Sequence, residues 1–142
     1  MNLPLRITLL HPPPGVRFRL QSGRTDLVSP THETPEALTF DFPVRVADRD
    51  AAHPPRFLGP FTQGPPTARF VYVNSGKRAA QPDSCWDRRA KIPLGAITWP
   101  LIEQTLARKN AVLEVQVEGT GKDGGPVCAT VRFTREWRVV NP

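Results

Sequence analysis

The sequence predicts a mainly β protein, an antiparallel β-sandwich or partly open β-barrel of about seven or eight strands with one short α-helix near residues 98–108. Three observations carry that prediction. Leu38, Phe40, Phe42, Val44 and Val46 recur at period two, a spacing that a helix would scatter around its circumference. Further short runs alternate in the same way, and the 17 prolines and 10 glycines fall mostly between them, as punctuation. A helix start and stop frame one stretch, from Thr98 to Asn110. The 142 residues suit a single domain, 1–142.

The elements follow in order. Leu5, Ile7 and Leu9 alternate with Arg6 and Thr8 as a half-buried strand, which His11-Pro12-Pro13-Pro14-Gly15 ends. Val16, Phe18 and Leu20 alternate with Arg17, Arg19 and Gln21, so the first two runs read as a hairpin across a proline-rich loop. Residues 22–37 are polar and read as a surface loop. The strand from Leu38 to Val46 contains Pro43, which lacks a ladder donor and calls for an edge or a bulge. Arg69 to Val73 is apolar on both faces, as in a central strand, and Asn74-Ser75-Gly76 reads as its end. A short strand is expected at Ala90 to Leu94.

In the helix, Thr98 is the expected N-cap and Pro100 sits in the first turn, where its missing donor does no harm. Leu101, Ile102, Thr105 and Leu106 share one face, Arg108 and Lys109 suit the C-terminal end, and Asn110 can terminate it. The tail reads as a β-hairpin, Leu113 to Val117 returning as Val127 to Phe133, with a last short strand at Trp137 and Val139.

Composition excludes some classes. No window approaches the roughly 18 apolar residues of a membrane span. The start, Met1-Asn2-Leu3-Pro4-Leu5-Arg6, runs straight into strand alternation without a signal-peptide pattern, so a cytoplasmic location is expected. Cys85 and Cys128 have no C-x-x-C or finger spacing, which suits packed thiols and leaves a bridge between them open. The net charge of +6, rich in arginine, is compatible with anionic partners, nucleic acid among them.

Catalytic and metal motifs fail one by one. Gly121-Lys122-Asp123-Gly124-Gly125 resembles a phosphate loop, but Gln116 stands where the first glycine belongs and Asp123 where Ser or Thr belongs; it reads as a hairpin turn. His11, His32 and His53 have no partner at ligand spacing. Ser84-Cys85-Trp86-Asp87 has no nucleophile-elbow context. No catalytic residue, metal or cofactor is assigned. Arg6, Arg17, Arg19, Arg45, Arg132 and Arg138 all fall on the polar side of their strands, either as a basic sheet face or as a solvated face balanced by Asp41 and Glu114; the balanced face is favoured.

Residues 57–76 are the most individual stretch. Gly-Pro steps flank Phe61-Thr62-Gln63 and can hold Gln63 toward a pocket, with Arg69, Tyr72 and Asn74 beyond; the competing reading is a structural turn closing the fold. FLGPFTQGPP at 57–66, RFVYVN at 69–74 and WDRRAKIPL at 86–94 resemble an uncharacterised bacterial family of short single-domain proteins, a domain of unknown function. The resemblance implies a free-standing protein of this size and transfers no activity, cofactor or site residue.

The reading that results is a non-enzymatic binding module for a small anionic ligand near residues 59–91. Arg69, Arg88 and Arg89 would pair with its charge, Gln63, Tyr72 and Asn74 would orient it, and Trp86 would form an apolar wall. The alternatives are a small hydrolase or isomerase using a histidine or Asp87, and nucleic-acid or protein interaction through an arginine-rich sheet face.

Overall fold

The computed structural model describes residues 1–12, 15–22, 26–65, 69–77, 88–120, 130–133 and 136–141. The elements are β1 (Asn2–Leu10), β2 (Val16–Ser22), β3 (Asp26–Val28), β4 (His32–Glu33), β5 (Ala37–Val46), β6 (Phe57–Leu58), β7 (Phe70–Lys77), β8 (Arg88–Pro93), α1 (Trp99–Ala107), β9 (Val112–Thr120), β10 (Thr130–Phe133) and β11 (Arg138–Val140). They form two sheets. The first runs β10-β9-β1-β5-β4, with β11 also on β9 and β6 also on β5; the second runs β3-β2-β7-β8.

Alternation decides which face each strand buries. Leu3, Leu5, Ile7 and Leu9 of β1 are fully buried, as are Leu113, Val115 and Val117 of β9, and Phe40 and Val44 of β5 lie beside them. They share one core with Phe18 and Leu20 of β2, Val71 and Val73 of β7, and Ile92 of β8. Each such side chain contributes about 1.5–3 kcal/mol on leaving water. The mainly β, two-sheet architecture with one short helix is as the sequence predicts.

One pair departs from the antiparallel rule. β1 pairs with β9 in parallel, from Leu5–Leu113 to Leu10–Glu118. A parallel neighbour requires a crossover, and α1 supplies its last part: it leads directly into β9 and packs on β1, β9 and β11.

Pro43 meets the ladder without a bulge. Met1 and Val46 exchange backbone hydrogen bonds (2.8 and 3.1 Å), so every second pair of the β1–β5 register is bonded. Pro4 pairs with Pro43 three positions along, in a non-bonded pair where neither ring is asked for a donor across the strand. On its other side, β5 pairs with β4 at Leu38 and Thr39 and with β6 at Arg45 and Val46. Pro43 falls in the gap between them, a local edge inside a long strand.

Several local expectations are corrected. β1 and β2 are not a hairpin: they belong to different sheets, and His11 (φ 52°) and Gly15 (φ 78°) both take positive φ between them. Residues 22–37 contain β3 and β4 rather than loop alone. β7 continues through Asn74-Ser75-Gly76 to Lys77, because pairing with β2 and β8 on its two sides outweighs turn propensity. In α1, Ile102 and Thr105 are buried, but Leu106 is 44% exposed. Thr98 occupies the N-cap position without a side-chain capping bond, and Asn110 terminates the turn at φ 63°. Residues 121–129, where the sequence places a turn and Cys128, lie outside the described residues, as does Cys85.

On the outer face of the first sheet, charges alternate across four strands. Arg6 Nε and Nη2 donate to the two Asp41 oxygens at 2.6 and 2.9 Å. Glu114, 7% exposed, accepts from Thr8 Oγ1 at 3.0 Å and from Arg138 Nη2 at 3.0 Å. Asp41, and behind it Glu114, hold the Arg6 guanidinium above its ordinary value. The six strand arginines therefore share no single face. Arg6, Arg45, Arg132 and Arg138 are on the first sheet, Arg17 and Arg19 on the second, and Arg6 and Arg138 are neutralised locally. Glu114→Ala, which strips the acceptor from Thr8 and Arg138, should cost about 2 kcal/mol. Urea unfolding should then show Arg138→Ala adding little further in the Glu114→Ala background, because the two losses are one interaction.

Candidate functional site

The 47–56 segment, β6, the start of β7 and the turn after β8 line an open pocket of about 130 Å³, formed by Pro54, Pro55, Phe57, Arg69, Leu94, Gly95 and Ile97. Each wall is fixed from the backbone outward. Leu94 N–H donates to Arg69 O (3.1 Å), carrying the β7–β8 ladder one step past both strands, and Ile97 N–H donates to Leu94 O (3.0 Å) in the turn that follows.

The 47–56 loop forms the proline wall. Ala47 N–H donates to Arg56 O at 2.9 Å and closes its base. Asp50 accepts from Ala52 N–H at 3.0 Å and meets His53 Nδ1 at 2.6 Å. Trp99 Nε1 donates to His53 O at 2.9 Å, while Arg49 pairs with Glu103 and lies 5.9 Å from the Trp99 ring centre. The loop is thereby latched to the start of α1. The Ala52 N–H and then His53 hold the Asp50 carboxyl below its ordinary value of 3.8. Both Asp50 and His53 are more than half exposed, so this pair sits on the solvent side of the loop.

The Gly-Pro-framed turn forms the support beneath Arg69. Gln63 and Phe70 exchange backbone hydrogen bonds of 2.8 and 3.1 Å, the Phe61 ring centre lies 5.1 Å from that of Phe42, and Thr62 is buried. The Gly59–Pro60 peptide is cis, and Gly64 takes φ 89°, which a side chain would resist. The Thr62 hydroxyl accepts from Arg69 Nη1 at 3.1 Å.

Arg69 stands apart from the paired arginines. Arg6, Arg49 and Arg138 each meet a carboxylate. Among the described residues Arg69 has the neutral Thr62 hydroxyl instead, and its Nε is buried without any hydrogen-bond partner. A buried donor left unmade costs about 1–3 kcal/mol.

The sequence-predicted site residues are divided by strand parity. Arg69 is in phase with Val71 and Val73, on the core side of the second sheet. Tyr72 and Asn74 are on the opposite face, with Gln63 sharing the face of its bridge partner Phe70. There the Phe70 and Tyr72 rings meet edge-on at 4.9 Å, and Lys91 Nζ lies 4.9 Å from the Phe70 ring centre. Asn74, 3% exposed, donates to Gln21 Oε1 at 3.3 Å. Arg89 registers with Asn74 and Arg88 with Ser75. Trp86 lies outside the described residues. Sequence reasoning missed Pro54, Pro55, Phe57, Leu94, Gly95 and Ile97 as pocket walls. It also missed Thr62, although the odd–even phase of 69–74 already separates Arg69 from Tyr72 and Asn74.

Among the described residues, no group of three or more His, Cys, Asp or Glu is arranged to hold a metal, and no helix is long and apolar enough to cross a membrane. Fold and site together define a mixed two-sheet β protein with a crossover helix and a small apolar pocket carrying one arginine. The family of unknown function DUF5990 matches residues 3–140, and the chain belongs to that family. No curated protein and no solved structure matches it.

Two outcomes follow. Arg69→Met should leave the free protein as stable as the native one in urea, or up to about 1 kcal/mol more so, since it removes an unmade donor along with the Thr62 bond. A loss above about 2 kcal/mol would make Arg69 structural. By NMR titration, Asp50 should show a midpoint below 3.8. Its lowered value means that its contribution to the loop is present above the unfolded value and fades as pH falls through the folded one. His53→Ala should raise that midpoint only in part, because the Ala52 N–H remains.

Proposed function

We propose that this protein is a non-enzymatic binding module that takes a small anionic ligand in the Arg69 pocket. The observation that carries the reading is Arg69, which meets no carboxylate among the described residues and lines a mostly apolar pocket. A guanidinium is always charged and presents paired donors in a plane, so an anion entering the pocket gains charge-assisted hydrogen bonds in a medium poor in competing water. The surrounding turns are tied down before any ligand arrives, which lowers the ordering cost of binding. Gln63, Tyr72 and Asn74 lie on the other face of the second sheet and take no part in this site.

The test is a thermal-shift screen of the full chain against small anions. A ligand at a hundred times its Kd stabilises the folded state by about 2.7 kcal/mol, enough for a clear rise in Tm. The native protein should respond to at least one anion and the Arg69→Met variant to none. A native protein that no anion stabilises, or an Arg69→Met variant that responds equally, ends the proposal.

A further inference from the structure

Resting on the pocket reading above, we infer that Gly95 sets which ligands the pocket admits by size: its missing side chain serves the cavity and not the fold. Gly95 lies in the turn after β8 and lines the pocket beside Arg69, Leu94 and Ile97. A fold requires glycine where the backbone turns left-handed or where a neighbour leaves no room for a Cβ. Neither applies here. Gly64 takes φ 89°, whereas Gly95 lies outside that region. A Cβ on Gly95 would meet no atom of the described residues within 4 Å. Ile97 N–H donates to Leu94 O at 3.0 Å, so Gly95 and Ala96 are the central residues of a β-turn, and Ala96 carries its side chain there without a positive φ. A turn that needs no positive φ accepts most residues at its centre. Glycine is a poor choice for such a turn, because it surrenders more conformational freedom on folding than alanine does.

The turn is held too firmly to shift for a larger residue. Leu94 and Ile97 are 0% and 1% exposed on either side of Gly95, and Leu94 N–H donates to Arg69 O at 3.1 Å. Pro54 and Pro55, on another wall, belong to the loop that the Trp99 Nε1–His53 O bond holds at 2.9 Å. With its walls fixed, the pocket offers about 130 Å³. An apolar cavity of roughly 150 Å³ holds the six carbons of benzene, so the four of a leucine side chain at position 95 would take much of the room. Arg69 answers the ligand's charge whatever its length. The longer the apolar body attached to that charge, the more its binding depends on an empty position 95.

The experiment compares the full native chain with Gly95→Ala and Gly95→Leu. Acetate, butyrate and hexanoate serve as probes, carrying one charge on bodies of increasing length. Dissociation constants come from NMR titration of the Arg69 and Ile97 amide signals, and stability from thermal melting. Gly95→Ala should melt at the native temperature or about 1–4 °C above it. A lower Tm would show that the fold needs this glycine, and would overturn the inference. Gly95→Leu should weaken the longest probe that the native chain binds by about tenfold or more, and acetate by less than about threefold. No loss, or an equal loss for short and long probes, would overturn the inference and leave the pocket reading standing. If Gly95→Leu does not fold, Gly95→Ala decides by the same comparison, the longer probe losing more than acetate. If the native chain binds none of the probes, or acetate alone, the inference falls; the pocket reading falls with it only when the wider anion screen is also negative.

Discussion

β1 is paired along both edges and buried along one face, and the other elements take their places from it. Leu3, Leu5, Ile7 and Leu9 are wholly removed from water, so a register slip of one residue would turn all four to solvent and bring Arg6 and Thr8 inside. That penalty fixes β5 antiparallel on one edge and β9 parallel on the other. The parallel partner in turn requires the crossover that α1 completes, and the helix packs on β1, β9 and β11. The pocket lies where this packing ends, between the start of β7, the end of β8 and the loop latched to α1.

Two arginine environments contrast within the molecule. On the outer face of the first sheet, Asp41, Arg6, Glu114 and Arg138 alternate in sign across neighbouring strands, and each charge is answered within the fold. Such a face has its potential largely cancelled at short range. Arg69 is the contrast: partly buried, held by a neutral hydroxyl, with one donor unmade. A site kept only for stability would favour an apolar residue or a paired charge there.

Much of the fold was legible because period-two burial is a local property. The runs at 5–9, 38–46 and 113–117 announce their inner faces without reference to any partner, and Asn110 marks its own turn by tolerating positive φ. The errors have a common cause. β1 and β2 look like a hairpin because they adjoin in sequence, but alternation carries no information on which sheet a strand joins. Asn74-Ser75-Gly76 looks like a stop, yet strands on both sides hold it extended. β3 and β4 are too short for periodicity to register, and they exist because longer neighbours offer an edge.

The sequence by itself determined the β class, the buried face of the principal strands, the single helix and its terminator, and the segment that carries Arg69. It also contained the phase that separates Arg69 from Tyr72 and Asn74, since side chains alternate across a strand. Only the tertiary structure decided the parallel β1–β9 pair, the division of the arginines between two sheets, and the meeting of Pro54, Pro55, Phe57, Leu94 and Ile97 around one guanidinium. Those depend on contacts between residues far apart in the chain, set by whole-core packing, and no local pattern encodes them.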